Sequence, residues 1–145
     1  MSNFYKARAA AMTSKQDDWE TPQELFDRLD AVYHFTLDPC STDANAKCAK
    51  HYTAEDDGLS KSWEGEVVFC NPPYGRNIGA WVRKCSEESE HATIVMLMPA
   101  RTDTSYFHDY IYGKADIEFL RGRLKFERGG VPLQSAPFPS MIIRF

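Results

Sequence analysis

Asn71-Pro72-Pro73-Tyr74 sets an amide, two prolines and an aromatic ring directly after the apolar run Val67-Val68-Phe69-Cys70. Such a run reads as a buried strand that ends in a rigid loop. Proline fixes φ and removes backbone donors, so the carbonyl groups of this loop are left as acceptors for a ligand. A planar amino group matches them. The Asn71 side-chain oxygen and the Pro72 carbonyl can each accept one of its hydrogens, and the Tyr74 ring offers a face for stacking. The bland alternative is a proline-rich strand exit with no ligand at all.

The elements that must position this loop follow from periodicity. Thr21-Pro22-Gln23-Glu24 has the form of a capping box, with Leu25, Phe26, Leu29, Val32 and Tyr33 on one face of a helix over about 22–33. His34–Asp38 reads as a short strand broken at Pro39, with Asp38 at its carboxyl end. A helical turn is expected between Asp43 and Lys50, and Thr53–Gly58 is an acidic loop. A second strand is hard to find. After the strand Val67–Cys70, the residues Ile78, Trp81, Val82 and Cys85 recur at helical spacing, and Ala92–Met98 supplies the next strand. Trp63 is expected to pack as core or pocket wall. A helix over about 104–112, an extended pair around 115–120 and 123–127, and a last strand Met141–Phe145 complete the order. Strands alternating with helices imply an α/β domain with ligands at the carboxyl ends of the strands, which places Asp38 and Asn71 on one rim.

At 145 residues the chain suits one compact domain, residues 18–145, preceded by an arm over 1–17 without sustained periodicity. An apolar content of 43% and an aromatic content of 13% are those of a folded chain. The longest apolar stretch, Ala92–Ala100, is too short to span a bilayer, and the N-terminus lacks an apolar signal core, so a cytoplasmic location is expected. Four cysteines without a C-x-x-C pair, and histidines without i, i+4 spacing, argue against a metal site. Net charge is −4, which opposes polyanion binding, but it is unevenly spread. Residues 1–74 hold 7 basic and 13 acidic side chains, whereas residues 75–145 hold 10 and 8. Arg121, Arg123, Lys125 and Arg128 are clustered against Glu127 alone, either as a phosphate-binding patch or as a charged hairpin edge.

Taken with Trp19-Glu20-Thr21-Pro22, Leu37-Asp38-Pro39-Cys40, Asn45-Ala46-Lys47-Cys48 and Met98-Pro99-Ala100-Arg101-Thr102-Asp103-Thr104, the Asn-Pro-Pro-Tyr loop resembles that of the phage-type DNA N6-adenine methyltransferases, which use S-adenosylmethionine. The resemblance covers about residues 17–145. It implies a Rossmann-like methyltransferase domain with a central mixed, mostly parallel sheet, open to a reduced strand number. It assigns Asn71, Pro72, Pro73 and Tyr74 to catalysis. Trp19, Thr21, Asp38, Pro39, Cys40 and Asp57 are assigned to S-adenosylmethionine, Asp38 to its methionine part and Asp57 to its adenine. Ser41-Thr42-Asp43 replaces the family's usual glycine turn. From charge clustering and position along the chain rather than from the resemblance, Arg76, Arg101, Arg121, Arg123, Lys125 and Arg128 are the expected contacts to double-stranded DNA.

The expected reaction is metal-free methyl transfer to N6 of an extruded adenine, in phage or prophage DNA within a bacterial cytoplasm. Two other readings remain open at this point: a protein glutamine-amide methyltransferase, whose substrate also presents a planar NH2, and a noncatalytic module that binds nucleic acid or cofactor.

Overall fold

The computed structural model describes residues 19–145; the expected arm and Asp18 lie outside the described residues. Two α-helices, α1 (Gln23–Tyr33) and α2 (Ile78–Glu88), are joined by six strands: β1 (Val67–Cys70), β2 (Thr93–Pro99), β3 (Asp116–Phe119), β4 (Glu127–Arg128), β5 (Val131–Pro132) and β6 (Ser140–Arg144). Four of them form one sheet in the order β1-β2-β6-β3. β1 and β2 are parallel, with Val67 opposite Thr93 and Cys70 opposite Met96. β6 runs antiparallel to both of its neighbours.

The sheet is therefore mixed, as expected, but its ladders are not mostly parallel. Only β1–β2 has a helical crossover, which a parallel pair requires. The connection from β3 to β6 carries the β4–β5 hairpin instead, and β6 returns antiparallel. Because β6 sits between β2 and β3, the strands β1, β2 and β3 still share one direction.

The alternation of β2 builds the core on both faces. Ile94, Met96 and Met98 join Trp81, Val82 and Cys85 of α2, whereas Val95 and Leu97 join Leu25, Phe26 and Leu29 of α1. Each large aliphatic side chain buried this way contributes roughly 2 kcal/mol. The result is a sheet between two helical layers. Val32, expected on the buried face of α1, is 71% exposed.

Local expectations were modified wherever tertiary partners intervened. Helix α1 starts at Gln23 with Pro22 as its N-cap residue and no cap bond from that residue, and the Thr21 hydroxyl expected to cap it is turned to another partner. His34 closes the helix in the left-handed region at φ 55°, donating to the Asp30 carbonyl at 2.9 Å. The expected strand over 34–38 is reduced to bridges, Leu37 parallel to Val68 and Asp38 to His51, since Pro39 ends the ladder at once. Over 43–50 there is one turn rather than a helix, in which Thr42 and Asn45 exchange side-chain bonds with each other's backbone N–H. Among the described residues no further strand lies between Asp38 and Val67. Residues 115–120 and 123–127 do not pair with each other: β3 lies on β6, and β4 pairs with β5 around Gly129 and Gly130. Both glycines have positive φ, 60° and 79°, as a tight two-residue hairpin turn demands. The expected helix over 104–112 narrows to one turn followed by a π-helical segment, Phe107–Ile111, whose Phe107 N–H the Thr104 hydroxyl accepts at 3.3 Å.

Candidate active site

Leu37 lies beside Val68 in parallel, so Asp38 and Asn71 leave the sheet at the same end. Both line one small cavity together with Trp19, Thr21, Ser41 and Lys47. The expected rim is thus formed. A second cavity of about 480 Å³ adjoins it, walled by Cys40, Ser41, Asp57, Gly58, Pro73 and Trp81. Cys40 and Ser41 border both spaces.

The Asn71 carboxamide is held at both ends. Its nitrogen donates to the Trp19 carbonyl at 2.6 Å and to the Thr21 hydroxyl at 2.9 Å. A carbonyl can only accept, so Trp19 fixes which end of the amide is nitrogen. The oxygen accepts from the Tyr74 hydroxyl at 2.5 Å and keeps a second lone pair. Pro72 is buried, and among the described residues no donor reaches its carbonyl.

Tyr74 is half-buried, and its ring packs edge-on against Phe126 and Phe138 at centroid distances of 6.0 and 5.7 Å. Trp19 meets the same two rings, at 5.3 and 5.2 Å. Burial pushes the Tyr74 hydroxyl well above its ordinary pKa, which keeps it a neutral donor to Asn71.

Asp38 is 5% exposed, and burial raises its pKa against the opposing bonds from the Lys47 and Cys40 N–H groups. The Lys47 ammonium turns away to Gln23 Oε1 at 2.7 Å. Among the described residues no ion pair neutralises the Asp38 carboxylate, which therefore suits a cationic ligand group. Nearby, the Ser41 hydroxyl is buried beside the Asp38 carboxyl.

In the acidic loop the two aspartates divide. Asp56 accepts the Thr53 N–H and hydroxyl at 2.9 and 3.1 Å, bonds that hold its carboxyl below the usual range. Asp57, in the left-handed region at φ 57°, lines the larger cavity. Trp63 is wholly buried and donates through Nε1 to the Gly58 carbonyl at 3.1 Å, fixing the rim from below. Cys40 and Cys70 place their sulfurs 3.8 Å apart, and burial raises both thiols.

Of the cations, Arg76 and Arg101 are exposed and line a third cavity with Tyr74 and Tyr106. Among the described residues neither is in an ion pair. Arg121, Arg123 and Lys125 are exposed on the segment entering β4, which reaches the site through Phe126, and Arg128 is exposed within β4 itself. Arg123 also donates to the Ala136 carbonyl at 3.4 Å.

Sequence reasoning missed the tie between residues 19–23 and the β4–β5 hairpin. The Glu127 N–H donates to the Glu20 carbonyl at 2.9 Å, and the Gly129 N–H reaches the Glu20 carboxylate at 3.2 Å. In return, Glu127 Oε2 accepts the Gln23 N–H at 3.0 Å, a helix cap supplied from 104 residues away. No local pattern announces such a pairing. Lys47, Asn45 and Trp81 were also overlooked as cavity walls, although the run Asn45–Cys48 had been a visible signal.

Comparison with known proteins gives this geometry a context. Over 112 residues, 75% of its length, the chain is 33% identical to the DNA N-6-adenine-methyltransferase of Escherichia phage T1. Over 110 residues, 74% of its length, it is 28% identical to the DNA N-6-adenine-methyltransferase of Haemophilus phage HP1. These matches span 47% and 64% of the respective relatives. The family model described as DNA N-6-adenine-methyltransferase (Dam) matches residues 8–143, nearly the whole sequence, and the chain therefore belongs to that family.

Proposed function

We propose that this chain transfers a methyl group from S-adenosylmethionine to N6 of adenine in double-stranded DNA, within a single Rossmann-like methyltransferase domain over residues 18–145. The observation that carries this reading is the state of Asn71. With its nitrogen committed to Trp19 and Thr21, the amide presents only its oxygen as an acceptor for an amino group. In this reading the carbonyl of the next residue, Pro72, is the second acceptor.

Adenine N6 is a poor nucleophile because its lone pair is delocalised into the ring. Two fixed acceptors polarise the amine and favour the geometry in which that lone pair is available. S-adenosylmethionine supplies a sulfonium-bound methyl group. Asp38 holds its cationic amino end, Trp19 and Thr21 border the same small cavity, and Cys40 and Asp57 frame the adenosine side; Pro39 lines neither cavity and acts from behind, its carbonyl against Gly58. An adenine in a duplex cannot reach Asn71, so it is extruded, and Tyr74 with its aromatic neighbours replaces the lost stacking. Arg76, Arg101, Arg121, Arg123, Lys125 and Arg128 take the phosphates. Among the described residues no helix is long and apolar enough to cross a membrane, and the place of action is the cytoplasm of a bacterial host.

The test is Asn71→Ala. Methyl transfer to duplex DNA should fall by about a hundredfold or more, the usual cost of one oriented transition-state partner, with cofactor affinity by calorimetry nearly unchanged. Wild-type turnover in the variant would sink the assignment.

A further inference from the structure

We infer that the β4–β5 hairpin is a positioning element for the Asn71 carboxamide, acting through Glu127, Glu20 and Thr21. This rests on the methyl-transfer reading and assigns Thr21 a role different from cofactor contact.

The chain of contacts is continuous. Asn71 owes its orientation to two consecutive anchors on one strand-like segment, the Trp19 carbonyl and the Thr21 hydroxyl, with Glu20 between them. Glu20 turns both its carbonyl and its carboxylate to the hairpin. There it is bound at both levels: its carbonyl takes the Glu127 N–H, and its carboxylate takes the Gly129 N–H at the turn. Glu127 completes the loop by capping the Gln23 N–H, which fixes where α1 begins. Thr21 is thereby released from helix capping. A threonine directly before Pro22 would ordinarily cap the helix, but here Thr21 is buried and its hydroxyl is bonded to Asn71, while a distant carboxylate serves the helix.

Packing reinforces the same link. Phe126, the residue before β4, touches both Trp19 and Tyr74, so the two partners that fix the nitrogen and oxygen ends of the amide lean on one ring. A shift of the hairpin displaces both. The amide oxygen would then leave the position in which it accepts from the substrate, and small misplacements of this kind cost about a hundredfold in rate.

The decisive experiment compares Thr21→Val, Thr21→Ser, Glu127→Ala and Glu127→Gln in the full chain. Measured quantities are single-turnover methylation of a duplex oligonucleotide, S-adenosylmethionine affinity by calorimetry, and the Asn71 side-chain NH2 resonances in an 15N-correlated spectrum. Thr21→Val should lower the rate at saturating cofactor by about tenfold to a hundredfold and shift the Asn71 resonances, with affinity within about twofold of wild type. Thr21→Ser keeps the hydroxyl and should restore both signals. Glu127→Ala should move the same resonances from a distance, whereas Glu127→Gln retains an acceptor for Gln23 and should not. In an Asn71→Ala background, Glu127→Ala should lower the rate no further.

Weaker cofactor binding by Thr21→Val with an unchanged rate at saturation would overturn the inference and return Thr21 to the cofactor site. Unmoved Asn71 resonances in both Thr21→Val and Glu127→Ala would also overturn it. If Glu127→Ala fails to fold, the Thr21 pair decides alone. Loss of activity in Asn71→Ala beside wild-type rates in Thr21→Val and Glu127→Ala removes this inference only; wild-type activity in Asn71→Ala removes the methyl-transfer reading itself.

Discussion

The Asp38 carboxylate accepts the Lys47 backbone N–H at 3.0 Å, so the residue at the end of the first parallel segment also closes the loop beside the candidate cofactor cavities. Its backbone does the same work one layer down, donating to the Lys50 carbonyl at 3.1 Å and accepting from the Tyr52 N–H at 2.9 Å. Loop order and ligand charge are thereby coupled in one side chain.

Replacing Asp38 with Ala should weaken S-adenosylmethionine binding by calorimetry and speed hydrogen exchange at the Lys47 and Cys40 amides. A pH signature accompanies it. Burial raises the Asp38 pKa above its ordinary 3.8, so between the unfolded and folded values the native state binds the extra proton. The stability that Asp38 contributes is complete below 3.8 and declines as pH rises through the folded value. Denaturant melts of wild type and Asp38→Ala should therefore differ by an amount that shrinks with rising pH across that window. A constant difference would contradict the shift.

Gly58 lies against Pro39. A Cβ there would stand 2.1 Å from the Pro39 carbonyl oxygen and 3.3 Å from the Trp81 ring, with no flexible side chain at the closer contact to yield. Gly58→Ala should cost about 2 kcal/mol in urea unfolding and displace the Asp57 rim, lowering cofactor affinity by about tenfold or more. Normal affinity would show that the rim does not hold the ligand.

The cluster Arg121, Arg123, Lys125 and Arg128 makes DNA affinity salt-dependent if these side chains sit on phosphates. Each contact contributes about one unit to the log-log slope, and Arg123→Ala should flatten it by about that much. Binding isotherms over a salt series give the answer directly. A slope unaltered by the substitution would assign Arg123 to its bond with Ala136 instead.

At the end of α2, Glu88 is buried and binds Lys84 at 2.6 Å, the Trp63 N–H at 3.3 Å, and His91. Burial pushes its pKa up, but the bonds from Lys84 and His91 outweigh it and hold the carboxyl below 4.5. This stability is present above that value and lost as pH falls through the folded one. Glu88→Ala should cost about 2 kcal/mol at neutral pH. Equal melting of variant and wild type would exclude the network from folding stability.

What could be read in advance was local. Val67–Cys70 and the periodic residues Ile78, Trp81, Val82 and Cys85 form the strand, loop and helix that their spacing implies, and Asp38 meets Asn71 at one rim. Thr21 shows where such reading stops. Its capping box is a rule about neighbours, and a carboxylate 104 residues from Gln23 overrides it. The placement of β6 was hidden for the same reason: Met141–Ile143 are buried on both faces, and nothing in such an apolar run states which strands will flank it or in what direction. Residues 115–120 and 123–127 read as an extended pair, whereas β3 finds its partner beyond the whole hairpin.

The insertion of β6 between β2 and β3 also makes β3 a dependent strand. β1 and β2 pair directly with each other, whereas among the described residues the only ladder that β3 makes is with β6, and Phe119 stays 59% exposed even in the finished fold. A chain cut before residue 140 would lose two ladders at once, leaving β3 unpaired and β2 with an open edge, the kind of edge on which chains associate.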